Sequence, residues 1–484
     1  MELAVLIGGR IAGTLDLSDS RSPVFAYDPA YGIYGGPPLS VRFPIPDGGA
    51  EGNDLRGWLE GLLPDHDDFL RALRAEHDLA RTDTLLLLGT PMGADCAGAV
   101  QFCPPDQAEA MAADKGGADP ISEAEIADWL RALQVDPARR GRRSPDADSG
   151  FSLAGMQPKV AVRRTDDGGW AVPYGAVPTT HIIKATRPDP YPHEAIVEHL
   201  TQATASRIGL PTARTTVAVY EGVEVIIVER FDRPAGGAHR IHQEDMCQAL
   251  GHPPNMKYQR DGGPGPDDIA GVLREHCDSG NTGDVERFCD YLLYQWISAA
   301  TDGHAKNYGL LLPGSGIVRL SPLYDTASWL PYRAGKPIRN IRLAMKLGKD
   351  YRLSSADRPS GLRRTADRLG LDPVSVAARA SELAAAVPDA LAAAIAALPP
   401  GMGTSPEVAS LRAAMTSRSQ KCKATAEEAA AKARTGGAGG PTPSGIAVQV
   451  QSLPAKASPR CGHIGVRTGK PCIRPPHRGN DHRY

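Results

Sequence analysis

The stretch that most constrains the fold is residues 292–328, LLYQWISAATDGHAKNYGLLLPGSGIVRLSPLYDTAS. It begins as an apolar helical pattern, breaks at a Thr-Asp-Gly sequence, and continues as two short apolar strand patterns joined by a Pro-Gly-Ser-Gly turn. The pattern predicts a polar loop that carries Asp302 and Asn307 between a buried helix and a β-hairpin. A further carboxylate, Asp325, follows the hairpin.

This layout suits phosphoryl transfer, in which the protein positions groups and stabilises charge. Asp302 can orient an attacking hydroxyl, Asn307 can hold a magnesium ion, and Asp325 can reach the same ion from a neighbouring element. The Asp-x4-Asn spacing equals that of a protein-kinase catalytic loop. An ordinary polar surface loop accounts for the spacing equally well when it is taken alone.

A second informative stretch is residues 152–159, SLAGMQPK, which places a turn of small residues ahead of a strand. Backbone amides in such a turn can approach phosphate oxygens, and Lys184, at the end of the strand THIIK, can neutralise them. Glu194 or Glu198 on the following helix could pair with Lys184. The segment is neither a Walker A sequence nor a GxGxxG, so a plain hairpin with an exposed lysine stays an alternative.

Composition predicts an ordinary globular protein of two or three domains, since 41% of the 484 residues are hydrophobic and 23% are charged. We expect a cytoplasmic protein without a membrane partner, because no apolar run approaches the roughly 20 residues of a span. The eight Cys are scattered, and we expect reduced thiols. Residues 418–484 hold twelve Lys and Arg against three Asp and Glu. This basic tail could contact nucleic acid weakly, whereas the acidic remainder is not expected to bind it.

Seven separated motifs occur in order at workable spacings, namely SLAGMQPK, THIIK, VERFDR, HQEDMCQALG, DGGPGP, TDGHAKNYGL and SPLYDTAS. Together they resemble the HipA family, the serine/threonine-kinase toxins of bacterial toxin–antitoxin modules. The segments FAYDPAY, LSVRFP and GWLEGLLPD also resemble the small N-terminal domain of that family. The resemblance covers about residues 1–400. It implies an α+β class and a two-lobed protein-kinase-like fold, with a small strand-rich N-terminal domain and a mostly helical C-terminal lobe.

The domain organisation follows from the resemblance and from shifts in composition. We expect a strand-rich N-terminal domain at residues 1–105 and a helix with a connector at 106–148. The kinase core should span 149–400, with its N-lobe at about 149–232 and its helical C-lobe at about 233–400. Within that lobe, the Ala- and Leu-rich residues 362–398 predict two helices split at 370–373. A flexible linker at 401–458 and a basic Cys/His tail at 459–484 would follow.

Residue roles are implied by the resemblance wherever the motifs match. Asp302 would be the catalytic base, Asn307 and Asp325 the magnesium ligands, and Lys184 the contact to the α- and β-phosphates. Ser152 matches the loop serine that the family autophosphorylates. The other residues implied in ATP binding are Ala154, Gly155, Met156, Gln157, Pro158 and Lys159 in the phosphate-covering loop, Glu229, Arg230 and Phe231 in the connector that meets adenine, and His304, Ala305, Lys306 and Tyr324.

The implied function is transfer of the ATP γ-phosphoryl, with Mg²⁺, to a serine or threonine of a cellular protein. Aminoacyl-tRNA synthetases are one known target class in the family. The implied partners are a HipB-like helix-turn-helix antitoxin and, through it, operator DNA. Two alternatives stay open: a catalytically weak corepressor that joins such an antitoxin on DNA, and a kinase for a lipid or small-molecule acceptor.

The last 24 residues contain two thiols and two imidazoles that could form a tetrahedral Zn²⁺ site, namely Cys461, Cys472, His477 and His482. Their spacing fits no standard zinc finger. Incidental Cys and His residues in a disordered basic tail are the alternative.

Overall fold

The computed structural model of the chain describes residues 1–65, 67–77, 79, 83–135, 159–185, 189–237, 239–277, 283–314, 316–333 and 337–436. None of the helices in these ranges combines the length and the hydropathy needed to cross a bilayer. The described residues form an α+β structure with three antiparallel sheets. The predicted fold class is therefore confirmed.

The N-terminal domain is a five-stranded sheet, in the order β4-β3-β2-β1-β5, with helices packed against it. Helix α2 has buried apolar residues at helical spacing, including Leu55, Trp58 and Leu59, and these pack into the same core as Leu15 and Phe25 of the sheet. The elements are β1 (Glu2–Ile7), β2 (Arg10–Asp16), β3 (Val24–Tyr27), α1 (Pro29–Ile33), β4 (Gly49–Glu51), α2 (Gly52–Leu62), α3 (Asp67–Glu76), β5 (Val100–Cys103) and α4 (Ala108–Ala112).

The N-lobe of the core is a six-stranded antiparallel sheet in the order β10-β11-β9-β7-β8-β6. Helix α5 covers it with Ile126 and Leu130, which share a core with Val160 and Ile183 of the sheet. The elements are β6 (Gly116–Ile121), α5 (Glu123–Val135), β7 (Lys159–Arg164), β8 (Trp170–Gly175), β9 (His181–Ala185), α6 (Glu194–Arg207), β10 (Thr215–Tyr220), β11 (Val223–Glu229) and α7 (Pro234–Gly237).

The segment predicted as a helix and connector, 106–148, supplies more than a connection. Its strand β6 pairs with β8 along six residues at the edge of the N-lobe sheet. The sequence of this strand, GGADPI, does not predict a strand, because glycine weakens a strand and Pro120 is tolerated only at an edge or bulge. A capping box precedes α5: Ser122 N donates to Glu125 Oε2 at 2.8 Å, and Glu125 N donates to Ser122 Oγ at 3.2 Å.

The C-lobe is mostly helical, around the almost wholly buried helix α10. Its small sheet has the order β12-β13-β14. The predicted split at 370–373 is confirmed, because Gly370 adopts a left-handed φ of 59° and Asp372 caps the next helix. The elements are β12 (His242–Asp245), α8 (Met246–Leu250), α9 (Pro266–His276), α10 (Gly283–Ser298), β13 (Gly309–Leu312), β14 (Arg319–Leu320), α11 (Leu353–Ala356), α12 (Pro359–Leu369) and α13 (Pro373–Ala396).

The flexible linker predicted from residue 401 is wrong over its first part. A 31-residue helix, α14 (Pro406–Gly436), occupies this region and packs on the C-lobe. Its inward face is made mainly of small or polar residues, so it shows little apolar periodicity. The buried residues of this helix are Val408, Leu411, Met415, Arg418, Ser419, Cys422, Thr425, Ala426 and Ala429. Residues 437–458 of the expected linker lie outside the described residues.

A buried ionic cluster, defined here as Asp95, Arg230, Asp232, Arg233 and Arg240, joins the N-terminal domain to the end of the N-lobe sheet. The Asp95 carboxylate lies 3.2, 3.0 and 3.4 Å from the guanidinium nitrogens of Arg230, Arg233 and Arg240. The second carboxylate, Asp232, accepts from the Gly98 amide of the N-terminal domain at 2.8 Å. All five side chains are at most 6% exposed, so the two domains share one buried set of charges.

Candidate active site

The polar loop after α10 is shaped by two residues with special backbone requirements. Helix α10 ends at Ser298, and Ala299 adopts a left-handed φ of 52°, which turns the chain out of the helix. Gly303 packs so closely on Gln295 that a Cβ atom there would collide with the Gln295 amide. A single 3-10 turn, Ala305–Asn307, then leads into β13. The loop is thus held against the helix that precedes it.

Asp302 projects from this loop with 65% of its side chain exposed. Its Oδ1 accepts a hydrogen bond from the Tyr258 hydroxyl at 2.6 Å, and its backbone oxygen accepts from Asn307 Nδ2 at 2.7 Å. The second bond orients the Asn307 amide with its nitrogen towards Asp302, so its oxygen faces the other way. A carboxylate and an amide oxygen are thereby presented by adjacent parts of one loop.

Asp325 follows β14 and adopts a left-handed φ of 54°, a conformation that Asp tolerates better than most residues. The segment around it is tied to both sides of the site. The Tyr324 hydroxyl donates to the Lys306 backbone oxygen at 2.8 Å, and Ser328 N donates to Thr201 Oγ1 of α6 at 3.1 Å. The Asp325 carboxylate is 40% exposed, which leaves one side accessible to a ligand.

Lys184 of β9 joins the two lobes. Its Nζ lies 3.0 Å from Glu198 Oε1 and 2.5 Å from Asp325 Oδ1. Of the two helix carboxylates considered from the sequence, Glu198 is therefore the partner of Lys184. Burial by itself lowers the pKa of Lys184, but Asp325 and Glu198 outweigh it and raise that pKa above its usual value. Lys184 accordingly stays cationic.

The carboxylates around Lys184 titrate differently because their surroundings differ. Burial raises the pKa of Asp325, but Lys184 and Lys159 outweigh it and hold that pKa well below its usual range. Burial also raises the pKa of Glu198. Burial and the nearby Glu198 carboxylate raise the pKa of Glu194 to about 7. Asp325 is therefore the carboxylate best suited to bind a cation at neutral pH.

Lys159 lies directly opposite Lys184 in the pairing of β7 with β9. Cross-strand partners project to the same face of a sheet, so both ammonium groups face the same region. Burial, followed by repulsion from Lys184, lowers the pKa of Lys159 to about 8. Two lysines beside Asp325 make this face suited to an anionic ligand such as a triphosphate.

His304 supplies an independent indication of a polar ligand. Its Nδ1 is buried and has no hydrogen-bond partner among the described parts of the chain. Its Nε2 lies 4.0 Å from Asp302 Oδ2. Burial lowers the pKa of His304, so the ring is neutral at pH 7. A buried ring nitrogen without a partner is costly, and it fits a site completed by an oxygen-rich ligand.

The donor set also fits magnesium, which prefers a few carboxylate and carbonyl oxygens and takes its other ligands from phosphate and water. Asp325 and the Asn307 amide oxygen would hold the ion. Within the described ranges there is no cluster of three or more His, Cys, Asp and Glu residues that could hold a metal ion. The site thus suits a cation that arrives with a phosphate ligand, and an all-protein metal cage is not found in these ranges.

Of the three predicted connector residues, Glu229, Arg230 and Phe231, only Phe231 has a side chain that packs beside the site. The Phe231 ring lies 5.4 Å from the Tyr324 ring, and both pack on a small apolar cluster that includes Ala213 and Val228. Glu229 has a 45% exposed side chain and lies 3.8 Å from Arg214 Nη1. Phe231 and Tyr324 therefore offer an apolar wall of the kind that an adenine ring requires.

The resemblance implies that Arg230 lies in the connector that meets adenine, and this role stays a prediction, but the Arg230 side chain points elsewhere. Its guanidinium is 2% exposed and belongs to the buried ionic cluster, where it contacts Asp95 and Asp232. It therefore does not reach the nucleotide region. The backbone amide of Arg230 is also engaged, since it donates to Thr180 O at 2.9 Å.

The Lys306 side chain likewise points away from the predicted phosphate position. Its Nζ lies 3.2 Å from Asp65 Oδ1, 3.3 Å from Gly61 O and 3.8 Å from Asp245 Oδ2, and the side chain is 4% exposed. Two of these partners belong to the N-terminal domain. Ala305, also expected at the nucleotide, is buried and donates its amide to Lys257 O at 3.1 Å.

Several predicted site residues lie outside the described residues. They are Ser152, Ala154, Gly155, Met156, Gln157 and Pro158 ahead of β7, and Cys461, Cys472, His477 and His482 in the tail. Their roles stay predictions. Sequence reasoning missed Tyr258, Lys257 and Asp65, which surround the polar loop. The only signal for the first two is their position shortly before the DGGPGP motif.

Comparison with known proteins identifies the family of this chain. Residues 151–391 match the HipA-like C-terminal domain, and residues 3–103 match the HipA N-terminal domain. The chain belongs to the HipA family. The resemblance seen in the motifs is therefore confirmed, and it extends over both domains.

Two relatives illustrate the similarity to other HipA-family chains. A Sinorhizobium fredii protein named "Putative kinase Y4mE" is 34% identical over 358 residues, which are 72% of this chain and 81% of the relative. A Shewanella oneidensis protein named "Serine/threonine-protein kinase toxin HipA" is 27% identical over 378 residues, which are 75% and 82% of the two chains.

A solved structure has the same fold. It is the complex of Shewanella oneidensis HipA with HipB and its operator DNA, whose matching chain superimposes with a TM-score of 0.73 at 24% identity. The match covers 89% of this chain and 99% of that chain. The HipA-family fold thus extends over nearly all of the described residues.

Proposed function

We propose that this HipA-family protein is a serine/threonine protein kinase that uses ATP and Mg²⁺. One observation carries the proposal: Lys184 of the N-lobe contacts both Glu198 of α6 and Asp325 of the C-lobe, beside the loop that presents Asp302 and Asn307. Two relatives are named as kinases, which supports the enzyme class. A lysine held between a helix carboxylate and a metal-binding Asp is the arrangement that a phosphoryl-transfer site requires.

Each side chain has a task that its surroundings support. Asp302, exposed at the mouth of the site, accepts the proton of the incoming hydroxyl and aligns that hydroxyl with the phosphoryl group. Asn307 and Asp325 would hold magnesium, which when bound would offset charge on the phosphates. Lys184 and Lys159 neutralise phosphate oxygens, and Phe231 and Tyr324 line the adenine side.

The first test is self-phosphorylation of the purified full-length chain with γ-labelled ATP and Mg²⁺. Wild type should incorporate label, and Asp302→Ala should lower the rate by about 10²- to 10⁴-fold. Asp367→Ala is a matched control, because Asp367 is 60% exposed and pairs only loosely with Arg363 at 4.0 Å. Unreduced labelling in Asp302→Ala would reject the assigned role of this carboxylate.

Ser152 is the proposed site of self-phosphorylation. A phosphate adds about two negative charges beside a site already intended for a triphosphate, so the modified loop would be repelled from it and activity would fall. Mass spectrometry of the labelled protein should locate the phosphate at Ser152. Labelling that persists unchanged in Ser152→Ala would remove this assignment while leaving the kinase proposal intact.

The acceptor class separates this proposal from its alternatives. A corepressor without catalysis predicts no label in wild type, and a lipid or small-molecule kinase predicts no phosphoprotein beyond the chain itself. Phosphoproteomics after brief induction, with Asp302→Ala as the comparison, should show new phosphoserine or phosphothreonine sites in wild type only. Aminoacyl-tRNA synthetases are the first candidates to inspect among the labelled proteins.

A HipB-like helix-turn-helix protein is the proposed partner, and through it operator DNA. The support is the fold shared with the Shewanella chain that is seen with HipB and DNA. A gel-shift assay on the upstream region of the gene, with and without the neighbouring gene product, tests this proposal.

The zinc site expected in the tail has its own test. Metal analysis of the purified wild-type chain should find stoichiometric Zn²⁺, and Cys461→Ser should remove it.

A further inference from the structure

The Tyr258 hydroxyl makes a short hydrogen bond to the carboxylate that the proposed mechanism uses as its base. It donates to Asp302 Oδ1 at 2.6 Å. Because the Asp302 side chain is 65% exposed, water competes for this carboxylate and side-chain packing alone does not fix its orientation. The Tyr258 hydroxyl, a donor from a different segment of the chain, fixes the orientation of the Asp302 carboxylate.

The Tyr258 ring is itself held in place from two sides. It meets the His304 ring edge-on, with centroids 5.0 Å apart and planes at 89°. The Arg260 guanidinium lies 4.9 Å from the ring centroid, within range of a cation–π contact. The ring therefore spans the neighbouring loop and the polar loop that carries Asp302.

The backbone beside Tyr258 is also fastened to this polar loop. Lys257 O accepts a hydrogen bond from Ala305 N at 3.1 Å, and Lys257 Nζ lies 2.9 Å from Asp65 Oδ2. Asp65 in turn contacts Lys306 at 3.2 Å. Segments 257–260 and 302–307 thus share a backbone hydrogen bond, a ring contact and a common ionic partner, which makes the Tyr258 hydroxyl a fixed donor.

We propose that Tyr258 is a positioning residue for the kinase reaction: it occupies Oδ1 of Asp302 so that Oδ2 is presented to the acceptor hydroxyl. A base must lie within hydrogen-bond reach of the proton that it accepts, and misalignment of a reacting group lowers the rate steeply. Tyr258 is not expected to contact ATP, so its hydroxyl contributes to the rate of transfer and leaves nucleotide affinity unchanged.

The inference rests on the proposed kinase activity, and its test uses the full-length chain. The rate of self-phosphorylation, measured over a range of ATP concentrations, gives a maximal rate and a half-saturating ATP concentration. Tyr258→Phe should lower the maximal rate on the order of 10- to 100-fold, with a half-saturating concentration within about twofold of wild type. Tyr31→Phe is the matched control, since its hydroxyl donates to Pro37 O at 2.9 Å within the N-terminal domain.

A second variant separates positioning from simple packing. Replacement of Tyr258 by 4-aminophenylalanine keeps the ring and restores an N–H donor at the same place, so it should recover most of the rate lost in Tyr258→Phe. A Tyr258→Phe rate equal to or above that of wild type would overturn the inference, as would a failure of the amino variant to recover the rate. If wild type itself incorporates no label, the proposed function falls and this inference falls with it. An active wild type with a fully active Tyr258→Phe rejects the inference alone.

Discussion

The substitution Asp95→Asn should strongly destabilise the protein although it changes only one atom of the side chain. Asp95 lies in the N-terminal domain, and its carboxylate contacts Arg230, Arg233 and Arg240 within 3.4 Å. Asn keeps the shape of the side chain and removes its charge. The buried ionic cluster would then hold three guanidinium groups against the single carboxylate of Asp232.

The magnitude follows from the burial of this cluster. The Asp95 side chain is 5% exposed, and those of Arg230 and Arg233 are 2% and 0% exposed. Removal of one partner from a buried ion pair costs about 3–5 kcal/mol, because the other charge stays buried without compensation. A typical domain is stable by only about 5–15 kcal/mol, so we expect the loss of at least roughly a fifth of the free energy of unfolding.

The pH dependence gives a second signature of the same charge. Burial alone would raise the pKa of Asp95, but the three guanidinium groups outweigh it and hold that pKa well below its usual range. The pKa of Asp95 in the folded protein lies below its unfolded value of about 4. The ionised Asp95 therefore contributes fully to the free energy of unfolding above that value, and this contribution is lost as the pH falls through the folded pKa. The difference in free energy of unfolding between wild type and Asp95→Asn should therefore stay constant from about pH 5.5 to 8 and become smaller below about pH 4.

Urea denaturation followed by tryptophan fluorescence gives the free energy of unfolding by linear extrapolation to zero urea. Asp367→Asn is the control, since the exposed pair with Arg363 should be worth about 0–1 kcal/mol. Loss of stability in Asp95→Asn that is no larger than in this control would refute the argument that the cluster is a tightly coupled interdomain contact. So would a difference that grows as the pH falls.

Three further substitutions, with a fourth as a control, test other contacts with the same assays. Lys184→Met should lower the labelling rate by about 10²-fold or more, because it removes the proposed phosphate contact and the partner of Glu198. Labelling near the wild-type rate would contradict the assignment. Asp65→Asn should lower the maximal labelling rate by about 10-fold with little change in half-saturating ATP, since the polar loop loses an ionic anchor; an unchanged rate would show that the anchor is dispensable. Arg418→Met should lower the free energy of unfolding by about 3–5 kcal/mol, because the Arg418 side chain is 1% exposed and pairs with Asp357. Lys421→Met is its control and should cost only about 0–1 kcal/mol, because Lys421 pairs with the same carboxylate but is 58% exposed. Equal urea midpoints for the last two would refute the role of Arg418.

The residues that sequence reasoning placed well are those whose partners follow from local spacing. Asp302 and Asn307 sit five positions apart on one loop, and the helix pattern before them together with the hairpin after them fixes where that loop must lie. Lys184 lies near the end of an apolar strand, and Glu194 and Glu198 lie on the next helix, so the usual packing of a helix on a sheet predicts a contact with one of them. The structure identifies Glu198 as that partner.

The side chains that point away from the predicted nucleotide site contact partners far along the chain. Arg230 contacts Asp95 across 135 positions, and Lys306 contacts Asp65 across 241 positions. A local motif specifies where such a side chain starts and does not specify which way it points. The helix α14 was missed for a related reason, because from Arg418 onward its buried face uses Arg418, Cys422 and small residues, whose burial becomes visible only with the lobe that receives them. The apolar spacing of Val408, Leu411 and Met415 is the signal that could have indicated its first half.

The shared charges between the first hundred residues and the catalytic half limit how this polypeptide can be divided in the laboratory. An expression fragment that begins at β7 would carry Arg230, Arg233 and Lys306 without Asp95 and Asp65, which pair with them in the whole protein. Such a fragment would be expected to aggregate or to lose order around the loop that carries Asp302. Recombinant work should therefore treat the small amino-terminal portion as an integral part of the enzyme.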